Sequence, residues 1–259
     1  LRYYPHGNIA GHILGYVGAI NSDELEKNKQ YGYSMNDLIG KRGIEKTAEI
    51  IEYGDNPIGL RGKKGVTQME VNVHNRPVRK LVDIPPTPGQ NVKLTIDLEI
   101  QKVMEETLDE VIERTKKSNS KAGAAGAVLL DVKTGAILAM ASKPDINPND
   151  FVDGTYQEKI DYYHNTTPGP WWHRVLQEEY PPGSTFKMLT GMAFLESGVS
   201  PSYKVNCIGR YWKPPYIRCS TGTHGRIDLK RALAVSCNTY FQYAAEAAGI
   251  EMINKIGKE

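Results

Sequence analysis

Pro181-Pro182-Gly183-Ser184-Thr185-Phe186-Lys187 is the stretch on which the reading of this chain turns. It sets a serine and a lysine three positions apart directly after a turn-forming Pro-Pro-Gly. If Ser184 opens a helix, Lys187 stands one turn further along the same face, within reach of the hydroxyl. A serine hydroxyl is a weak nucleophile until a base takes its proton. Lysine is such a base when burial and neighbouring charge leave part of it neutral. A helix N-terminus adds backbone N–H groups that favour developing negative charge. Ser-x-x-Lys alone is common by chance, and an exposed helix start would show the same residues. A second polar cluster downstream, Ser236-Cys237-Asn238, sits inside an otherwise apolar segment and raises the reading above chance.

With about fifty residues between them, these two motifs resemble the S-x-x-K and S-x-N motifs of the penicillin-binding proteins, acyl-serine transpeptidases. The wording Tyr180-Pro-Pro-Gly-Ser-Thr-Phe-Lys187 is similar to the family's usual form. The resemblance implies an α+β acyl-serine transpeptidase fold, an antiparallel sheet flanked by helices, preceded by a smaller β-rich pedestal. It also implies roles. Ser184 is acylated by a D-alanyl-D-alanine peptide, Lys187 is the base, Ser236 relays a proton to the leaving amine, and Asn238 binds the substrate amide.

The family's third motif, K-T-G, follows the second. A Lys133-Thr134-Gly135 does occur, but ahead of Ser184, between the apolar runs Ala127–Leu130 and Ala136–Met140. That pattern reads as a β-hairpin with the three residues in its loop. Glu259 lies only about twenty residues past Asn238, so the third motif is expected to lie outside this chain.

The chain has 259 residues, enough for one or two domains, and a net charge of +2 that makes no case for nucleic acid. No run of about eighteen apolar residues is present, so nothing reads as a membrane span. The resemblance implies an N-terminal membrane anchor beyond this chain, and the polypeptide reads as a piece of a longer one. Pro85-Pro86-Thr87-Pro88-Gly89 marks the boundary between residues 1–88, a partial pedestal or dimerisation-like region, and 89–259, the N-terminal part of a transpeptidase domain. In the first part Val66–Val73 and Val78–Ile84 read as paired strands, and Ile44–Tyr53 as a short helix with Glu45, Lys46 and Glu49 outward. The phrases His12–Gly18 and Gly40–Glu45 are similar to the pedestal of class B penicillin-binding proteins. His6, His12 and His74 lack partners at ligand spacing and read as solvated or structural. In the second part Asn91–Ile96 reads as a strand. Asp97 caps a long helix with Met104, Leu108, Val111 and Ile112 as its apolar stripe. Residues 143–180 show little periodicity and read as a long loop of the kind that often carries function, and Trp171 and Trp172 read as packing residues, with the lining of a groove as the alternative. Thr185–Leu195 reads as the helix behind the nucleophile.

All three cysteines fall in the pattern Cys207-x11-Cys219-x4-His224-x12-Cys237. Three thiolates and an imidazole make a complete tetrahedral set for Zn²⁺, although the spacing is not that of a zinc finger. A Cys207–Cys219 disulfide, or unlinked core cysteines with His224 in a turn, account for the same residues. The resemblance favours the metal. Some elongation-type members hold zinc near the active site through a histidine before a glycine and the cysteine of the second motif. His224-Gly225 and Cys237 match, while Cys207 and Cys219 stand where those members have aspartates.

The implied protein is an elongation-type class B penicillin-binding protein. Its catalytic part would lie on the periplasmic face of the bacterial inner membrane, cross-linking peptidoglycan stem peptides and acylated by β-lactams. Implied partners are a glycosyltransferase of the shape-elongation-division-sporulation family and rod-shape scaffold proteins. Alternatives are a β-lactam sensor, a serine β-lactamase-like domain, a division-type relative, and a scaffold that keeps the fold without catalysis.

Overall fold

The computed structural model describes residues 2–52, 58–152 and 156–259, of which 156 and 157 as backbone only. The chain divides into two compact units, Leu1–Glu178 and Glu179–Glu259. Among the described residues the strands form four two-stranded antiparallel sheets, with helices between them.

The first unit begins with helix α1 (Gly11–Leu14), strand β1 (Val17–Ala19), helix α2 (Ser22–Lys27), strand β2 (Leu38–Gly40) and helix α3 (Gly43–Thr47). Strands β1 and β2 pair, and the two Gly-rich phrases meet backbone to backbone. Gly43 has φ 58°, and a Cβ on it would lie 2.4 Å from the Ile13 carbonyl oxygen and 2.6 Å from the Gly15 nitrogen. Only glycine fits, for both conformational and steric reasons. Gly43→Ala should therefore cost on the order of 3 kcal/mol, the left-handed penalty plus overpacking, read as a lower thermal midpoint.

Helix α3 is shorter than the sequence suggests. It ends at Thr47, and Ile51 instead bridges Ile58, while Tyr53 lies outside the described residues. Glu45 is not on a solvated face. It is buried, accepting from Arg2 Nε at 2.9 Å and from the Tyr4 hydroxyl at 3.1 Å. Burial raises its carboxyl pKa above the ordinary value, against the pull of Arg2.

Strands β3 (Val66–Val71) and β4 (Pro77–Ile84) form the expected hairpin. Residues 91–96 do not form a strand. Their link to the neighbouring hairpin is the Thr95 hydroxyl donating to the Ile137 carbonyl, followed by Asp97 N–H donating to that of Leu138. Asp97 then caps helix α4 (Leu98–Lys116), accepting from the N–H groups of Glu99 and Ile100. The apolar stripe on α4 is rotated from the expected one. Gln101, Glu105 and Ile112 are the buried residues, whereas Met104 and Leu108 are half-buried and Val111 is exposed. Gln101 turns inward because strand β6 (Ile137–Lys143) needs it. Its amide accepts from Met140 N–H at 2.8 Å and donates to Met140 O at 2.9 Å, satisfying a strand edge that would otherwise be buried unpaired. Glu105 takes the remaining Gln101 N–H at 2.7 Å, and the Ala10 N–H at 2.8 Å.

Strand β5 (Ala125–Leu130) pairs with β6 as the expected hairpin, and Lys133-Thr134-Gly135 is its turn. Asp131 organises that turn, accepting from the Lys133 N–H and the Thr134 hydroxyl. Residues 143–180, expected as loop, carry helices α5 (Tyr156–Asn165) and α6 (Arg174–Gln177). Helix α6 lies against β5 and β6, while an aromatic cluster of Tyr16, Phe151, Tyr163 and Trp171 holds α5 through Tyr163. Trp171 packs there, with the Arg42 guanidinium 5.0 Å above its ring. His12 is structural, its Nε2 2.7 Å from the Pro170 carbonyl oxygen, and burial lowers its pKa to about 4. His6 and His74 are exposed.

The second unit contains helix α7 (Phe186–Glu196), strand β7 (Val205–Cys207), strand β8 (Gly225–Ile227), helix α8 (Leu229–Ala234) and helix α9 (Asn238–Lys258), which breaks at Gly249. Helices α7 and α9 pack on a core of Phe194, Val205, Ile227, Leu229, Tyr240, Phe241 and Ala244. Within this unit α7 buries one face only; Met188, Met192 and Leu195 on the other are exposed. No helix among the described residues is long and apolar enough to cross a membrane.

Candidate active site and metal centre

Two corners of the second unit build the site. The first is the turn Gly183–Thr185, which runs straight into α7 and leaves Ser184 exposed at the helix's positive end. Lys187 follows one turn later, half-buried, as the spacing requires.

The second corner joins α8 to α9. The Ser236 N–H bonds the Leu233 carbonyl and the Cys237 N–H bonds the Ala232 carbonyl at 2.9 Å, which is a Schellman motif with Ser236 at its left-handed position. Glycine ordinarily fills that position, yet serine holds φ 50°. Cys237 then caps α9, its sulfur accepting from the Tyr240 N–H, and Asn238 opens the helix. Strained non-glycine positions of this kind cluster at functional sites. Ser236→Gly should raise stability by up to about 1 kcal/mol while lowering acylation. A variant less stable than the parent would show that the serine serves the fold instead.

The structure brings all four sequence-expected residues together. Lys187 Nζ lies 3.2 Å from Ser184 Oγ, 2.9 Å from Ser236 Oγ, 2.7 Å from the Ser236 carbonyl oxygen and 2.6 Å from Asn238 Oδ1. The Ser236 hydroxyl donates to Ser184 Oγ at 3.0 Å. A neutral amine has two protons, which the Ser236 carbonyl and Asn238 Oδ1 accept, and one lone pair, which accepts from a serine hydroxyl. Burial lowers the Lys187 pKa, against the opposing pull of Cys219 and Cys237, which moves the lysine toward that neutral form.

Two contacts were not legible in the sequence. The Asn238 amide donates to the Arg218 carbonyl oxygen at 2.7 Å, fixing the side chain from the neighbouring loop. Lys187 Nζ also sits 5.8 Å from the centre of the Phe241 ring. The first involves a main-chain group, which no side-chain motif reports. The second needs the crossing of α7 and α9.

The cysteines and histidine also converge. Cys207 ends β7, His224 precedes β8, and the segment between folds back through an Arg210–Arg218 bridge and a Cys219 N–H bond to the Gly209 carbonyl. The ligand atoms of Cys207, Cys219, His224 and Cys237 all lie within 4.8 Å of one another. Cys207–Cys219 and Cys219–Cys237 sulfurs are 3.7 Å apart, and Cys207 Sγ is 3.5 Å from His224 Nδ1. Tetrahedral zinc with Zn–S of about 2.3 Å and Zn–N of about 2.05 Å would separate its ligands by about 3.8 Å and 3.6 Å. A disulfide sulfur pair is about 2.05 Å apart, so these thiols are not linked. His224 Nε2 is 2.7 Å from Thr221 Oγ1, the outer partner that fixes a ligating imidazole. Burial pushes the Cys237 thiol up to about 12. For Cys207 burial also opposes ionisation, but hydrogen bonds, including one from the Gly209 N–H at 3.4 Å, hold it down at about 6. Three sulfurs and one imidazole at these separations are a donor set that fits zinc.

A serine hydroxyl held against a lysine amine and a second serine is the arrangement that lysine activation of an acyl-serine nucleophile requires. Residues 125–259, more than half of the chain, match the penicillin-binding protein transpeptidase domain, and residues 1–94 match the penicillin-binding protein dimerisation domain. The chain therefore belongs to the penicillin-binding protein transpeptidase family. It is 34% identical over 268 residues to the peptidoglycan D,D-transpeptidase MrdA of Acinetobacter baumannii, covering 98% of this chain and 36% of that protein. Against MrdA of Escherichia coli K12 the identity is 32%, covering 98% of this chain and 38% of the relative. Among solved structures, the complex of PBP2 with MreC from Helicobacter pylori matches at a TM-score of 0.77 and 28% identity, over 99% of this chain and 44% of that one. A peptidoglycan synthase complex that couples polymerisation and crosslinking matches at 0.76 and 31%, over 99% and 44%. The chain spans little more than a third of the length of the curated relatives it matches.

Proposed function

We propose that this chain carries the nucleophile-bearing part of a peptidoglycan D,D-transpeptidase of the elongation type, and that β-lactams acylate the same serine. The contact of Lys187 with Ser184, Ser236 and Asn238 is the observation that carries the reading. Ser184 Oγ attacks the carbonyl of the penultimate D-alanine while neutral Lys187 takes its proton. The Ser236 hydroxyl, touching both, passes a proton to the departing D-alanine amine. An amine of a second stem peptide then attacks the acyl-serine. Asn238 has two amide protons; Arg218 uses one, and the other is available to a substrate carbonyl.

Cys207, Cys219, His224 and Cys237 would hold a structural Zn²⁺ with no position left for water. When bound, it would neutralise the thiolates and fix the corner between α8 and α9. Peptidoglycan lies outside the cytoplasm, so kinship with peptidoglycan D,D-transpeptidases supports an extracytoplasmic protein; an anchor holding it to the inner membrane is what the family resemblance implies. The MreC complex and the synthase complex support a rod-shape scaffold protein and a shape-elongation-division-sporulation glycosyltransferase as partners. The reading predicts that full-length protein, supplied with a D-alanyl-D-alanine stem peptide and an acceptor amine, releases D-alanine and forms the cross-linked product. Acylation by penicillin without any such product would favour the β-lactam sensor.

A further inference from the structure

We propose that Cys219 is the hub of an oxidation-sensitive site, at which a hydroperoxide converts two metal-holding thiolates into a disulfide and thereby releases Asn238; this rests on the metal reading above. Cys219 Sγ lies 3.7 Å from the sulfurs of both Cys207 and Cys237, so either can resolve it. It is also the thiol with a route to solvent. Cys219 is 8% exposed and precedes the exposed Ser220 and Thr221, whereas Cys207 and Cys237 are at 0%.

The step balances. The Cys219 thiolate attacks one peroxide oxygen, the O–O bond breaks, and the departing hydroxide takes a proton to become water. The resulting sulfenic acid is attacked at sulfur by the second thiolate. The S–S bond forms, the S–O bond breaks, and a second protonated hydroxide leaves as water. Two thiolates lose two electrons to the peroxide, and the metal loses two of its four ligands.

Closing a disulfide to about 2.05 Å requires sulfurs at 3.7 Å to approach by about 1.7 Å. That movement reaches the active site by short paths. The Arg218 carbonyl that holds Asn238 is bonded directly to the Cys219 nitrogen. The Thr239 hydroxyl, beside Asn238, lies 3.5 Å from Cys219 Sγ. A displacement of about 1 Å at a positioning group is enough to cost about a hundredfold in rate.

The test treats zinc-loaded full-length protein with hydrogen peroxide and follows zinc release, disulfide formation by mass and peptide mapping, and labelling by fluorescent penicillin. The expected result is zinc released in step with a disulfide that includes Cys219, a fall in labelling rate of about a hundredfold, and recovery with dithiothreitol and zinc. Cys219→Asp keeps a ligand oxygen but removes the hub, so its labelling, whatever its starting level, should be insensitive to peroxide. Cys207→Asp should stay sensitive through the Cys219–Cys237 pair. If Cys219→Asp does not fold, disulfide mapping in the parent protein decides alone. Zinc and labelling that both withstand peroxide, or labelling lost by oxidation elsewhere without a disulfide, would overturn the proposal. Zinc content measured before peroxide tests the metal reading separately: a zinc-free protein refutes that reading, and a zinc-loaded one forming no disulfide refutes only this one.

Discussion

Lys187→Ala should slow acylation of the full-length protein by penicillin about a thousandfold, within the range for loss of a positioned general base. The amine touches Ser184, Ser236 and Asn238 together, so its removal takes the base from the nucleophile and the anchor from both partners. Lys187→Arg should not rescue, because guanidinium stays protonated and offers no lone pair. The pH dependence follows from the same lysine. Burial lowers its pKa, so the neutral, reactive form gains population at a lower pH than for a free lysine. The acylation rate should therefore rise with pH and level off below the ordinary lysine value of about 10.4. A rate that falls over this range, or a Lys187→Ala variant within a few-fold of the parent, would assign the base elsewhere.

Removing the metal should have the second largest effect. Elemental analysis is expected to find one zinc per chain. Chelation, or His224→Ala, should cost the second unit several kcal/mol, a loss of more than about 10 °C in its melting temperature. Acylation should fall with it, because Cys237 is the backbone link between Ser236 and Asn238. Acid should also release the metal, since thiolate ligands must stay deprotonated. Unchanged melting in a chelated protein, with acylation intact, would show that the four side chains converge without a metal.

How much the sequence discloses varies with the kind of group involved. Ser184 and Lys187 were legible because a turn followed by a three-residue step leaves few geometries. Ser236 and Asn238 were legible only as a motif, since nothing local says that serine rather than glycine ends α8 in a left-handed turn. The β3–β4 and β5–β6 hairpins followed from alternation and turn residues. The sequence places helix α4 well but turns the wrong face inward. A hydrophobic count sends Gln101 and Glu105 outward, whereas Met140 and Ala10 need their polar groups inside. Residues 91–96 have strand-like residues, but no partner strand completes a ladder there among the described residues. The cysteine cluster could be read as a metal set, a disulfide or filler from spacing alone. Sulfur separations of 3.7 Å match the first and exclude a disulfide in this structure.

The central claim is that Ser184 is the acylated nucleophile. Its most direct test is mass spectrometry of full-length protein after brief exposure to penicillin, with the adduct mapped by proteolysis. The prediction is one penicilloyl group per chain, on the peptide containing Ser184, and none on a Ser184→Ala variant. An adduct on any other residue, or undiminished labelling of Ser184→Ala, would contradict it.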